Sequence, residues 1–305
     1  MYIREAIATS RFLGQIHGRT GMIDDTKPKR PLPPGACDTH AHIFGPTDKF
    51  PFVIPVPYEP PNAPIERYLA MLDWVGLSRG VLSTPVTYEY DNRSVIDACR
   101  RAPDRIRGVG VTGPQTSDAA LDEMVRANVK GLRFSGIDSD QGSRYGASGL
   151  AEFHQLAPRM KQFGMHAQIW AYAHRIAEDA ERILAHGVPV VIDHSARPDL
   201  ARGVNDVGFQ TVIGLLREGR VWVKLALSRV GMQFPDYPDA RPYHDALVAA
   251  NPDRIMWGSD WPHVRQGERT PDVGHLLDLF DDWTGRDDTL RQKVLVDNPA
   301  RCYGF

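Results

Sequence analysis

The feature that most constrains this chain is an alternation. From Gly35 onward a short apolar run is followed by a polar loop, then by a segment with helical apolar spacing, then by another apolar run. Eight such runs recur: "ACDTHAHIF", "RGVLSTPV", "IRGVGVTG", "KGLRFSG", "MHAQIWAY", "VPVVIDHS", "RVWVKLAL" and "DRIMWGSD". The stretches between them, among them "PIERYLAMLDWVG", "GLAEFHQLAPRMKQFG" and "FQTVIGLLREG", carry apolar residues at the 3.6-residue period and end in Gly or Asn-Pro. Eight β–α units in alternation predict an α/β fold, a single (β/α)8 TIM barrel.

Two stretches stand outside the repeat. Residues 1–34 form an N-terminal arm: a short helix from Tyr2 to about Ile16, then the Pro-rich linker "TKPKRPLPPG", which cannot be helix or central strand. The barrel domain is then 35–305. Its final helical stretch, "DDTLRQKVLVDNPARCYGF", is expected to pack outside or close the base. The Pro-rich loop "GPTDKFPFVIPVPYEPPNAP" follows strand 1 and so lies on the catalytic face, where it could cover a site.

The charge balance narrows the partners. With 36 basic and 38 acidic residues and a net charge of −2, nothing favours nucleic acid or a membrane surface. No apolar stretch is long enough to span a bilayer, and the N-terminus lacks the apolar core of a secretory signal. Three widely spaced cysteines, Cys37, Cys99 and Cys302, form no C-x-x-C pair and suit a reduced, cytoplasmic protein. The arm could be exchanged between subunits, so a homo-oligomer is an open expectation.

Active sites of such barrels form at the C-terminal ends of the strands. There strand 1 brings His40 and His42, two residues apart and so expected on one face with Asp38 below them. Strand 4 brings Arg133. Strand 5 carries Gln168 and Trp170, with Tyr172 just beyond, while His166 at its start should lie far from the mouth. Strand 6 ends in Asp193 and His194. Strand 7 carries Lys224 within an apolar run and leads to Arg229. Strand 8 ends in Asp260 and His263, and the loop after strand 2 presents Thr87, Tyr88 and Glu89. Each histidine alone reads as a strand-end or core residue; three imidazoles and a carboxylate at one mouth read as chemistry.

The motifs "DTHAHIFGP", "VVIDHSARPD", "RIMWGSDWPH" and "VLVDNPARCYGF", with "DNRSVIDA" and "GLRF", resemble the amidohydrolase superfamily over residues 35–305, in the branch of 2-pyrone-4,6-dicarboxylate hydrolases and sugar-acid lactonases. The resemblance implies a hydrolase that opens the ester bond of a small carboxylated lactone. Asp260 would activate water, and His40, His42 and His194 would polarise the carbonyl. Arg133 and Arg229 match carboxylate-binding arginines of that branch, with Thr87, Tyr88, Trp170, Tyr172 and His263 nearby as substrate contacts. No cofactor is the first expectation; if a divalent zinc or manganese ion binds, His40, His42, His194 and Asp260 are its ligands. The strand 5 histidine common in metal-dependent relatives is missing, and Trp170 takes the strand 5 position that the pyrone hydrolases usually give to a tyrosine. A further arginine expected after strand 4 has only Arg144 as counterpart, in a different register. Rival readings are a metal-dependent sugar-acid lactonase, a zinc-dependent decarboxylase, for which the missing histidine counts against, and a barrel that binds an organic acid without catalysis.

Overall fold

A computed structural model describes residues 25–56, 58–137 and 148–305. Eight parallel strands follow one another in sequence order: β1 (Cys37–Ala41), β2 (Arg79–Ser83), β3 (Ile106–Gly110), β4 (Val129–Ser135), β5 (His166–Trp170), β6 (Val190–Ile192), β7 (Val221–Leu225) and β8 (Ile255–Trp257). All eight runs singled out from the sequence are strands. Their edges are shorter than the runs, because the last residues of β6 and β8 leave the ladder to form the site. Ser148–Gly149 adds a two-residue rung beside β4. The ring is closed beyond the end of β8, where Asp260 N donates to His40 O and His42 N donates to Trp261 O, both at 2.8 Å. Gly258 makes this approach possible, since a Cβ there would stand 2.8 Å from His40 Cβ.

Helices α1 (Ile65–Val75), α2 (Arg93–Arg101), α3 (Asp118–Arg126), α4 (Leu150–Gln162), α5 (Ala173–Ala185), α6 (Val207–Arg217), α7 (Arg241–Ala250) and α8 (Val273–Trp283) follow the eight strands. Each lays an apolar stripe on the barrel. On α1 this stripe is Ile65, Tyr68, Met71, Leu72 and Val75, the i, i+3, i+4, i+7 spacing that one helix face requires. Gly76 ends α1 in the left-handed region (φ 89°), where its N–H reaches Leu72 O.

Inside the barrel the side chains form layers. Toward the base, Cys37, Val81, Val109, Val191, Trp222 and Met256 pack together with Tyr303. Two residues further along β6 and β7 the inward positions are Asp193 and Lys224, both fully buried. An apolar floor thus carries a polar layer.

The expected terminal helix closes the base, in three pieces: α9 (Asp288–Gln292), a π turn (Lys293–Asp297) and α10 (Asn298–Tyr303). The proposed helix from Tyr2 to Ile16 lies outside the described residues. Residues 25–34 lie against the end of the barrel: Lys29 N donates to Asp278, and Arg30 bridges Asp281 and Asp288. Among the described residues, no helix is long and apolar enough to cross a membrane.

Candidate active site

The histidine pair owes its placement to an irregularity. The pairing of β1 with β2 shifts between Asp38 and Ala41, and this re-aims the strand end. His40 and His42 enter the mouth, but Asp38 does not lie beneath them as the alternation predicts. It accepts hydrogen bonds from Tyr68 on α1 and from the Ser259 backbone and hydroxyl, at 3.1, 2.9 and 2.6 Å. Asp38 therefore ties β1 to α1 and to the end of β8.

The ends of β6 and β8 are conformationally unusual. Four successive residues, His194 to Arg197, have φ of 49°, 52°, 63° and 42°, and Asp260 and His263 have φ of 62° and 61°. Non-glycine residues in this region pay about 1–3 kcal/mol each and persist where the surroundings over-determine them. Here they swing His194 and Asp260 back over the barrel axis.

Beneath them lies a buried charged network, in which Arg133 alone keeps slight exposure. Asp193 Oδ2 accepts from Arg133 Nε at 2.9 Å and from Gln168 Nε2 at 3.0 Å. Its Oδ1 stands 3.2 Å from His40 Nδ1 and 3.6 Å from Lys224 Nζ. Lys224 Nζ donates to Gln168 Oε1 at 2.5 Å and lies 3.3 Å from His40 Nδ1. Burial alone would raise Asp193, but His40, Arg133 and Lys224 hold it well below the usual carboxylate range. Burial pushes Lys224 down, and Asp193 opposes that. A buried ammonium with no carboxylate partner would be far costlier.

Above the network, Asp260 Oδ1 faces His40 Nε2 at 3.5 Å and His42 Nε2 at 3.6 Å. Its Oδ2 accepts from Arg229 Nε in a short contact. Burial favours its neutral form, yet Arg229 and the surrounding imidazoles outweigh burial, and Asp260 is ionised throughout the neutral range. The imidazoles go the other way. Burial takes His42 down to about 3 and His194 well below its ordinary value, so both are neutral at pH 7.

Neutral imidazoles have distinct ends, and their contacts tell them apart. His42 Nδ1 lies 2.7 Å from the Ser83 carbonyl, which only accepts, so Nδ1 carries the proton and Nε2 offers a lone pair toward Asp260. On His194 the Arg133 guanidinium approaches Nε2 at 3.4 Å. That leaves the proton on Nδ1, a buried donor with no partner. The contacts thus leave opposite polarity on the two histidines, a lone pair on His42 Nε2 and a proton on His194 Nδ1.

The remaining sequence candidates divide. Trp170 lines the mouth, its ring 6.4 Å from His194 and 4.9 Å from the Arg133 guanidinium. Tyr172 sits at the rim, stacked on His174. Thr87 is fully buried with an unpartnered hydroxyl. Tyr88 instead uses its hydroxyl to accept from Gly45 N at 2.8 Å, holding the long loop after β1. His263 is buried but lines a separate cavity of about 460 Å³ with Trp261 and Arg67. Arg144 lies outside the described residues. His166 sits at the strand start against Tyr303, as expected. Asp193, Gln168 and Lys224 were visible on their strands but unassigned; a lysine in "VWVKLAL" was the clearest signal that the interior is charged. Arg197 was missed.

The donor set is suited to a divalent ion. His40, His42 and Asp260 form one group, and His40, Asp193 and His194 another, each with ligand atoms within 4.8 Å of one another. The lone pair of His42 favours the first group. Against it stand Arg229 on Asp260 and Arg133 with Lys224 on Asp193, cations that already neutralise both carboxylates.

The family model for amidohydrolases matches residues 37–305. A 4-sulfomuconolactone hydrolase of Rhizobium radiobacter is 36% identical, over 90% of this chain and 91% of its own. A 2-pyrone-4,6-dicarboxylate hydrolase of Comamonas testosteroni is 33% identical, over 95% and 98%. A crystal structure from Pseudomonas putida, provisionally named a 2-pyrone-4,6-dicarboxylic acid hydrolase, superposes with a TM-score of 0.75 at 31% identity, covering 90% of this chain and 98% of that one. On its sequence, its eight-stranded barrel and the match over nearly the whole barrel, this chain belongs to the amidohydrolase family.

Proposed function

We propose that the chain hydrolyses the ester bond of a small carboxylated lactone, with Asp260 as general base. The observation that carries this is Asp260 itself, an ionised carboxylate buried at the mouth with one oxygen toward His40 and His42 and the other on Arg229. The names of the relatives above point to the same reaction class.

The chemistry follows from the polarity of each group. A water between Asp260 and His42 Nε2 can donate one hydrogen to each, which aims its oxygen lone pair at the lactone carbonyl carbon. As that oxygen attacks, Asp260 takes a proton and the carbonyl oxygen becomes an oxyanion. His194 Nδ1–H is a preorganised donor for it, and such a donor contributes roughly 10²–10³ in rate. Collapse of the tetrahedral intermediate breaks the ring C–O bond. Asp260 returns its proton to the departing oxygen, and the new carboxylic acid ionises.

Arg229 resolves a conflict in this scheme. A carboxylate held so far down is a weak base. A substrate carboxylate competing for the guanidinium would draw Arg229 away and raise the basicity of Asp260 as substrate binds. Arg133, beside Trp170, is the second candidate for a substrate carboxylate.

A divalent ion held by His40, His42 and Asp260 would add Lewis-acid polarisation of the carbonyl. Our reading needs none, because Asp260 activates the water and His194 Nδ1–H meets the oxyanion. The test is turnover of 2-pyrone-4,6-dicarboxylate, muconolactones and aldonolactones with and without chelator. Ring opening that survives chelation supports direct action by the side chains. Activity lost with chelator and restored by zinc or manganese would assign the histidines as ligands, and no turnover of any lactone would overturn the proposal.

A further inference from the structure

The cavity of about 460 Å³ that His263 lines lies on the flank of the barrel, between α1 and the segment joining β8 to α8. None of His40, His42, His194 or Asp260 lines it. One wall is apolar, made by Met71 on α1, Pro61 before it, and Trp261 and Pro262 after β8. Another flank cavity, about 400 Å³ between α4 and α5, has its charges paired, Arg175 with Glu178 and Arg182 with Asp179. The cavity beside α1 keeps polar groups without partners.

Two observations point to a ligand there. His263 is 5% exposed, and neither of its ring nitrogens has a hydrogen-bond partner. Burial takes the imidazole down to about 4, so at pH 7 it holds one N–H and one lone pair, both unmet. Buried polar groups left unmet cost free energy that a ligand would recover. Arg67, at the exposed edge, donates to Asn62 O at 3.0 Å and has no carboxylate partner among the described residues. The carboxylates on the same lining are committed to backbone. Asp25 accepts from Val273 N at 2.7 Å, and Asp272 accepts from Thr26 N and His275 N at 2.8 and 2.9 Å. The charge facing the cavity without a counterpart is therefore the Arg67 guanidinium, which suits a carboxylate. A hydroxyl can meet either imidazole nitrogen, as donor to the lone pair or acceptor from the N–H. The indole and proline surfaces suit a flat ring.

We infer that this cavity is a ligand site separate from the barrel mouth, and that it takes a small aromatic acid bearing a hydroxyl. The ring lies against Trp261, Pro61 and Met71, the hydroxyl meets His263 and the carboxylate meets Arg67. The inference does not depend on what the mouth hydrolyses. The site does adjoin the turn that carries Asp260: His263 N donates to Asp260 O at 2.9 Å, and Trp261 O accepts from His42 N at 2.8 Å. An occupant rests against the backbone that closes the barrel.

Calorimetric titration of the full chain tests this, with 3- and 4-hydroxybenzoate, benzoate and phenol as probes. At least one hydroxybenzoate is expected to bind about tenfold or more tightly than benzoate and than phenol. Arg67→Met should remove its advantage over phenol, and because Arg67 is exposed the interior is undisturbed. His263→Leu should remove its advantage over benzoate, with the thermal midpoint reporting whether that variant is folded. Binding of carboxylates to the arginines at the mouth senses neither substitution and shows no preference for the hydroxyl. Equal binding of benzoate and both hydroxybenzoates to the wild type would overturn the site and leave the His263 nitrogens to water. Hydroxybenzoate affinity unchanged in Arg67→Met would also overturn it, even if His263→Leu fails to fold.

Discussion

Arginines stand at both ends of this barrel and are used differently. At the base, Arg107 sits on β3 with its guanidinium bonded to Gly304 O at 2.8 Å and stacked 4.4 Å from the Phe305 ring. Arg79, at the start of β2, flanks the same ring at 5.1 Å. These guanidiniums clamp the end of the chain against the floor. At the mouth, Arg133 and Arg229 hold buried carboxylates, and Arg197 and Arg269 have no carboxylate partner among the described residues. The residue type is the same, and neighbouring groups decide whether its charge is absorbed by the fold or left without a carboxylate partner.

The sharpest way to break that contrast is at Asp260. Asp260→Asn removes the proposed base with little change of shape, and kcat should fall by about 10²–10⁴-fold while the thermal midpoint stays near wild type. Near-normal turnover would show that another group activates water. Next is Arg229→Met, which frees Asp260 and removes a candidate substrate contact. A drop of roughly 10–100-fold in kcat/KM is expected, carried mainly by KM for a carboxylated lactone; an unchanged KM would remove Arg229 from substrate binding.

At the base the prediction inverts. Arg107→Met should cost about 1–3 kcal/mol of stability through the lost carbonyl contact and cation–π stacking, with kcat close to wild type. Loss of activity without loss of stability would mean the two ends are coupled. The smallest effect concerns His166, whose imidazole burial pushes to about 3. The unfolded chain binds a proton near pH 6.5 that the folded chain refuses until about 3, so stability falls as pH drops below 6.5. From pH 6.5 to 5.5 this amounts to about 1 kcal/mol, and below that the slope approaches about 1.4 kcal/mol per pH unit for one proton. Denaturant unfolding at a series of pH values should show a shallower slope for His166→Gln; an identical slope would mean His166 is charged in the folded state.

Much of this was legible from the chain. Strand and helix periods named the barrel, because burying one face of eight amphipathic helices on eight short apolar strands leaves few other arrangements. The strand-end positions of His40, His42, His194 and Asp260 followed from the rule that loops after strands form the catalytic face. Side-chain direction was less legible. Strand alternation put Asp38 under the histidines, and the irregular pairing of β1 with β2 turned it toward Tyr68 instead. The contact of the Tyr88 hydroxyl with Gly45 N, which ties down the loop after β1, was likewise not legible from spacing.

The sequence by itself determined the architecture, the end of the barrel where chemistry gathers and the residue types gathered there, since periodicity and strand order are local properties. Only the tertiary structure decided which groups meet. Lys224 and Asp193 lie on neighbouring strands, yet Gln168, Arg133 and His40 come from three others. The polarity of each imidazole depends on a contact from another strand, Ser83 for His42 and Arg133 for His194. Closure of the barrel brings these groups within hydrogen-bond range, and at that range electrostatics is set by distances of a few ångströms that no spacing along the chain encodes.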